Sequence, residues 1–333
     1  MITYGYFFSL ICFRVVIKLW LLNKKIYKGC SHNYYMVHTE IQEKKGRKYY
    51  YRVKNIREGK KIKKERVYLG VNLNEGKLKK KEKEADKKLN VFKVILSEEE
   101  IKFLEEIKRD FSKEPKENYE NRYEAFCSLF THDSTGIEGN TLTFSETSFL
   151  LFEGIVPKEK SLREIYEVLN HKRAFDYILE YKGDITREFI LRLHELVVFN
   201  TLRQDLISQI GRYRTVQVFV GSSIPPKPQD VPDKMAGLLR WHSINKKNLH
   251  PLVLASYFHT EFEKIHPFVD GNGRVGRLLM NFILHKNKFP MINIPKKRRF
   301  KYYEVLQDAH HKGNLKPFVK FLISILKKDK LRF

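Results

Sequence analysis

Residues 266–279 read HPFVDGNGRVGRLL. Within them Gly271, Gly273 and Gly276 have the spacing G-x-G-x-x-G. In a dinucleotide-binding fold that spacing follows a strand and is answered by an acidic residue roughly 20 positions on. Here Leu252 to Ile265, just upstream, has helical periodicity, and Ile294, Pro295 and Lys296 stand where the carboxylate is needed. A Rossmann domain is therefore disfavoured. No G-x-x-x-x-G-K-[ST] occurs, which removes the P-loop as well.

What remains is a turn of backbone N–H groups at Gly271, Asn272 and Gly273 where a helix begins. Such unsatisfied donors, together with the helix dipole, suit phosphate oxygens. Arg274 and Arg277 fall in the first turn on one face, and cations at a helix N-terminus are unfavourable unless an anion balances them. Asp270 is a carboxylate suited to hold a divalent cation against two phosphates. His266 has the range of a base that takes a proton from a hydroxyl near neutrality. One base, one metal carboxylate, a phosphate nest and two arginines are the parts of nucleotidyl or phosphoryl transfer. His259, one helical register upstream, reads as a core or cap histidine.

Outward from this segment, helical spacing covers Leu162–Tyr177, Glu188–Gln204, Val275–Leu284 and Leu315–Leu326, and Ser97 with Glu100 gives a capping-box start. The expected fold is mainly α. The exception is Tyr213–Val220, whose alternating, β-branched pattern runs into the Ser-Pro-rich GSSIPPKPQD and reads as a short hairpin flap. Near the N-terminus, KYYYRVKNIREGKKIKKERVYLG (48–70) gives two β-prone runs around Glu58, Gly59 and Lys60, a small basic hairpin. Lys77–Lys88 is a solvated helix or linker. The expected organisation is an N-terminal extension over residues 1–90, a helical region over 91–180 and a core with C-terminal helices over 181–333.

Composition narrows the setting. Cys12, Cys30 and Cys127 form no pair with metal or disulfide spacing, which favours a reducing, intracellular and cytoplasmic location. The net charge of +25 is spread along the chain and attracts acidic proteins, nucleic acid or anionic lipid without choosing among them. Met1–Leu22 is apolar but interrupted by Arg14 and Lys18, and lacks a signal-like start or cleavage site. Stable membrane anchoring is not expected, and a start at Met36 would remove the segment.

HPFVDGNGRVGR resembles the signature of the Fic (filamentation induced by cAMP) family, HPFx, Asp or Glu, GNGRxxR, at every fixed position. GRYRTVQVFV (211–220) is similar to the family's flap, and Tyr302 with Tyr303 lies after the motif as in many members. The resemblance runs from about Phe92 to the C-terminus and implies a Fic-type helical bundle. It implies that His266 is the general base toward a Ser, Thr or Tyr hydroxyl of a target protein. Asp270 would bind Mg2+, and Gly271, Asn272 and Gly273 would form the anion hole for ATP. Arg274 would contact phosphates and Arg277 the γ phosphate. Flap residues Thr215, Val216, Gln217, Val218, Phe219 and Val220 would hold the target by added-strand pairing. Gly273 stands where phosphate-transferring members carry Lys, which favours AMP transfer.

STGIEGN (134–140) resembles the family's inhibitory motif, with Ser134, Glu138 and Gly139 at its fixed places. By that resemblance Glu138 pairs with Arg277 and denies it to the γ phosphate. The implied activity is an autoinhibited protein adenylyltransferase, with self-modification and a homodimer compatible with it. A de-AMPylase using the same site is one alternative. A nucleic-acid-associated regulator acting through the basic hairpin is another. The winged-helix module of many relatives is not expected at either end.

Overall fold

The computed structural model describes residues 37–44, 46–58, 61–89, 95–113, 115–221 and 223–329. Met1–Leu22, Cys12, Cys30, Met36, the turn residues Gly59 and Lys60 and the boundary near Asn90 lie outside them. The chain forms two compact units, Met1–Val91 and Phe92–Phe333.

The first unit is an antiparallel sheet of β1 (Val37–Lys44), β2 (Arg47–Glu58) and β3 (Lys61–Val71), followed by helix α1 (Glu75–Leu89). The two expected strands are present, and a third precedes them. Its sequence, VHTEIQEK, alternates as a strand should, and Gly46 at φ +69° supplies the left-handed residue of the tight turn into β2. Tyr50, Leu69 and Ala85 form a small core with Val67, Leu73 and Leu78 around them. That core explains why the charged run 77–88 is a helix: Asn74 accepts from the Lys77 N–H at 2.9 Å to start it, and Leu78, Ala85 and Leu89 share its inner face.

The second unit is helical. In order it contains α2 (Glu98–Ser112), α3 (Tyr119–Ile137), α4 (Phe144–Ser148) with a π turn at Phe149–Glu153, α5 (Leu162–Glu180) and α6 (Arg187–Val198). Then come α7 (Val231–Asn245), α8 (Pro251–Ile265), α9 (Asn272–Lys286), α10 (Arg299–Gln307) and α11 (Lys316–Asp329). Reciprocal capping boxes open α2 (Ser97, Glu100) and α5 (Ser161, Glu164). Among the described residues no helix is long and apolar enough to cross a membrane.

α9 is the axis of the unit and contacts α3, α5, α6 and α8. It is buried along nearly its whole length, from Val275 to Leu284. A helix buried on all sides must satisfy its polar groups inside the protein. Asn281 does so by donating to the Ile292 carbonyl at 3.1 Å and accepting the Ile292 N–H at 2.8 Å. The polar side chains nearer its N-terminus, Asn272, Arg274 and Arg277, build the candidate site.

Two expected elements differ. The helix read over Glu188–Gln204 stops at Val198, because the Thr201 N–H and Oγ1 both turn back to the Val198 carbonyl and Asn200 is left-handed at φ 56°. The flap at 213–220 carries no paired strand among the described residues. Among the described residues its only bridge joins Val220 to Ser223, and side chains hold it instead: Arg214 donates to the carbonyls of Val216 at 3.1 Å and Pro226 at 2.5 Å, and Gln217 to Val218 and Pro225 at 3.0 Å each. Alternation in sequence marks a backbone able to pair, while pairing itself needs a neighbour with free groups.

Candidate active site

The turn between α8 and α9 is over-determined. His266 caps α8 in the left-handed region, with φ 50°, and its N–H returns to the Phe262 carbonyl at 2.9 Å. The buried Asn272 amide closes the loop by accepting the Phe268 N–H and donating to the Phe268 carbonyl, each at 2.9 Å. Gly271 is left-handed at φ +77°, and a Cβ there would lie 2.8 Å from Val198 Cγ1, so only glycine fits. Phe268 is fully buried and stacks on His194 of α6, with ring centroids 3.8 Å apart and planes parallel.

His194 ties this loop to the rest of the core. Its Nδ1 accepts the Gly211 N–H at 3.1 Å, which leaves the proton on Nε2 to donate to the Asp270 carbonyl at 3.2 Å. Burial pushes its pKa down to about 3, so the ring is neutral. Arg214, also buried, donates from Nε to the His266 carbonyl at 2.8 Å, and its N–H meets the Pro267 carbonyl at 2.9 Å. One guanidinium thus fastens the flap to the loop that carries the histidine.

The His266 ring is half-buried, and its Nδ1 lies 3.3 Å from the Glu263 carbonyl. A carbonyl only accepts, so Nδ1 carries the proton and Nε2 presents its lone pair. Burial lowers the pKa to about 4, against the opposing pull of the Glu263 carbonyl. At neutral pH the ring is uncharged and able to take up a proton.

Arg274 and Arg277 are among the largest fully buried side chains. They diverge: Arg274 reaches Asp270 Oδ1 at 3.2 Å and Glu167 Oε1 of α5 at 3.8 Å. Arg277 donates from Nε to Ser134 Oγ at 3.0 Å, and from Nη2 to the Ser134 carbonyl at 2.8 Å and Glu138 Oε1 at 2.7 Å. Among the described residues Arg274 Nε and Nη1 and Arg277 Nη1 are buried without a hydrogen-bond partner. Unpaired buried donors on cations are costly, and an anion is their natural complement.

Glu138 caps α3, and Gly139 behind it is left-handed at φ +108°. Its carboxylate stands over the start of α9, and a Cβ built on Gly273 would run into Glu138 Oε1. Asn140 anchors the same loop by donating to Glu167 Oε2 and the Glu164 carbonyl, each at 3.0 Å. Tyr302 is buried, with Arg277 over its ring at 5.9 Å and its hydroxyl 2.9 Å from His259 Nε2. Tyr303 is partly exposed and donates to the Ile137 carbonyl at 3.3 Å. The inhibitory-motif residues, both tyrosines and the Asp270–Arg277 stretch therefore converge. Within the flap, Thr215, Val216, Phe219 and Val220 are exposed and Gln217 and Val218 half-buried.

The expected nest is only partly free, since the Gly271 N–H already donates to Asp270 Oδ1 at 2.6 Å. Asp270 Oδ2 accepts from Arg163 Nη2 at 3.2 Å. Among the described residues no group of three or more His, Cys, Asp or Glu could hold a metal ion. A cation here would rest on the Asp270 carboxylate and on phosphate oxygens, a donor set that fits Mg2+. Sequence reading missed Arg163, Glu167, His194, Arg214 and Phe268. The available signal was periodicity: His194 lies four residues after Ile190 on the apolar face of α6, and Glu167 four after Arg163 on α5.

Residues 184–284 match the Fic/DOC family. A "Protein adenylyltransferase Fic" of Drosophila persimilis is 40% identical over 209 residues, 62% of this chain and 40% of that protein. Its Drosophila melanogaster counterpart is 41% identical over 209 residues, 62% of this chain and 41% of that protein. The chain thus spans about two-fifths of the length of these curated relatives. Among solved structures, a Fic domain containing signaling protein from Bacteroides thetaiotaomicron superposes with a TM-score of 0.61 at 28% identity, over 68% of this chain and 93% of that one. Fic-1 from C. elegans superposes with a TM-score of 0.62 at 26% identity, over 78% of this chain and 77% of that one.

Proposed function

This chain belongs to the Fic/DOC family, and on that premise we propose that it transfers AMP from ATP to a hydroxyl side chain of a protein, restrained by its own Glu138. The observation that carries the proposal is the pair of buried guanidinium groups beside the α9 N-terminus: Arg274 Nε and Nη1 and Arg277 Nη1 have no hydrogen-bond partner among the described residues, while Glu138 of the same chain already takes Arg277 Nη2.

In the forward reaction the target hydroxyl oxygen attacks the α phosphorus. The new bond is oxygen to α phosphorus, the bond to the bridging oxygen breaks, and pyrophosphate leaves. His266 Nε2 takes the hydroxyl proton, and its Nδ1–H on the Glu263 carbonyl fixes the ring for that role. The α9 N-terminus and Arg274 hold the phosphates, and Arg277 takes the γ phosphate. Mg2+ bound through Asp270 would draw charge from the phosphate oxygens. The flap supplies exposed edge groups for the target backbone.

Glu138 works against this arrangement by competition. Its oxygen sits 2.7 Å from Arg277 Nη2 and over Gly273, where the γ phosphate needs the same donors. ATP then binds with its α phosphorus out of line for attack.

The test is incorporation of label from α-phosphate-labelled ATP into protein, self-modification included, for wild type and Glu138→Gly with Mg2+. Glu138→Gly should raise incorporation at least ten-fold without loss of fold. No gain in a folded, ATP-binding variant would sink the inhibitory assignment. An AMP-modified protein offered to the wild type tests the reverse reaction, in which the same Glu138 would orient the attacking water.

A further inference from the structure

Both carboxylate oxygens of Asp270 have partners. One carboxylate oxygen accepts from the Gly271 N–H at 2.6 Å and from Arg274 at 3.2 Å, and the other from Arg163 at 3.2 Å. The three donors are not alike. Gly271 belongs to the rigid turn, and Arg274 is buried at 2% side-chain exposure, whereas Arg163 is 56% exposed and reaches in from α5. Its Nε rests on Glu167 Oε1 at 3.1 Å, one helical turn along the same helix. Arg163 therefore has an anchor that survives if its Nη2 lets go of Asp270.

We propose that Arg163 is a positioning residue that stands in for the divalent cation: it holds the Asp270 carboxylate oriented in the resting state and yields Oδ2 to the metal when the nucleotide arrives. The inference rests on the reading above in which Asp270 binds Mg2+. Arg163 and Mg2+ compete for one oxygen, so binding one weakens the other, and the coupling is reciprocal. The site thus carries two competing ion pairs of opposite sense. Glu138 takes the cation meant for the γ phosphate, and Arg163 takes the carboxylate meant for the metal. Because the Arg163 pair is largely solvated, its competition is modest, about two- to five-fold in metal coupling.

The test measures how strongly Mg2+ and ATP favour one another, by calorimetric titration of ATP with Mg2+ and with chelator. The full chain carries Glu138→Gly and His266→Ala, so that the nucleotide pose is open and nothing turns over. The readout is the ratio of the two ATP dissociation constants. Arg163→Gln should raise that ratio about two- to five-fold, and Arg163→Ala should agree. An unchanged or smaller ratio overturns the proposal and makes Arg163 a phosphate ligand or a mere surface pair. Asp270→Ala is the control for the underlying reading: it should bring the ratio to that of a site without a metal contact. If Asp270→Ala changes nothing, the metal assignment itself fails. If it collapses the ratio while the Arg163 variants leave it alone, only the placeholder role is lost. Thermal unfolding of each variant separates these results from misfolding.

Discussion

The loop at 266–273 and the flap at 213–220 both bear on the proposed reaction, yet they are built on opposite principles. In the loop, the Phe268 N–H and carbonyl and the carbonyls of His266, Pro267 and Asp270 all have partners inside the protein, and Phe268 and Asn272 are buried. In the flap, Phe219 is 72% exposed, and the backbone is held by the side chains of Arg214, Gln217 and Gln209, with a single bridge among the described residues. Reacting atoms must be held to fractions of an ångström, and a rigid, satisfied loop does that. A surface that receives varied partners needs free backbone groups, and a fully paired flap would have none. Arg214 joins the two, with one guanidinium on both sides of the division.

The comparison breaks most severely at the base. His266→Ala in the Glu138→Gly background should lower AMP transfer by about 10²- to 10⁴-fold, measured by label incorporation, with the ATP dissociation constant changed only a few-fold. Full activity in that variant would remove the base assignment and with it the need for so rigid a loop. Next comes the packing beneath the loop. Phe268→Ala should cost about 3–5 kcal/mol in chemical denaturation, because it opens a cavity under His194 and loosens the Asp270 carbonyl contact. A cost below about 1 kcal/mol would mean that the loop does not depend on that stack.

These two residues also show what a sequence makes legible. The His266–Arg277 spacing identified the site because each fixed residue serves local geometry: a left-handed glycine, a capped turn, an asparagine that bonds back four residues. Helical periodicity found α5, α8, α9 and α11 for the same reason, since it is a property of neighbours along the chain. Periodicity places Arg163, Glu167 and His194 on helix faces, but their roles and that of Arg214 were illegible because they exist only across elements far apart in sequence. Glu138 with Arg277 bridges as long a gap, and it was found through a second motif rather than through physical patterning. In the flap, alternation showed strand capacity and could not show that the neighbouring strand is missing. The third strand of the N-terminal sheet was likewise hidden, because β1 alternates but carries only Val37 and Ile41 as apolar residues.

The loop's dependence on neutral imidazoles gives a pH test. His194 and His259 are fully buried, and burial pushes each pKa from the ordinary 6.5 to about 3. In the unfolded chain they bind protons near 6.5, in the folded one only near 3. The stability they support is thus complete above 6.5 and is lost as pH falls from there toward 3, at about 1.4 kcal/mol per pH unit for each histidine. Denaturation midpoints measured between pH 7.5 and 5 should fall accordingly, and His194→Gln should flatten the slope by about one proton while lowering stability at pH 7.5. An unchanged slope in His194→Gln would show that the ring carries the same protonation in the folded and unfolded chain.

The smallest effect belongs to the flap and is informative because it is small. Phe219→Ala removes as large an aromatic ring as Phe268→Ala, but from a side chain that is 72% exposed. It should move stability by no more than about 0.5 kcal/mol and leave ATP binding unchanged. In the Glu138→Gly background it should reduce labelling of proteins added in trans by a few-fold, while self-labelling at sites that do not use the flap persists. Equal loss of both would mean that the flap supports the loop through Arg214 rather than receiving targets. A stability cost approaching that of Phe268→Ala would mean that the flap is packed in solution, and the contrast between the two regions would disappear.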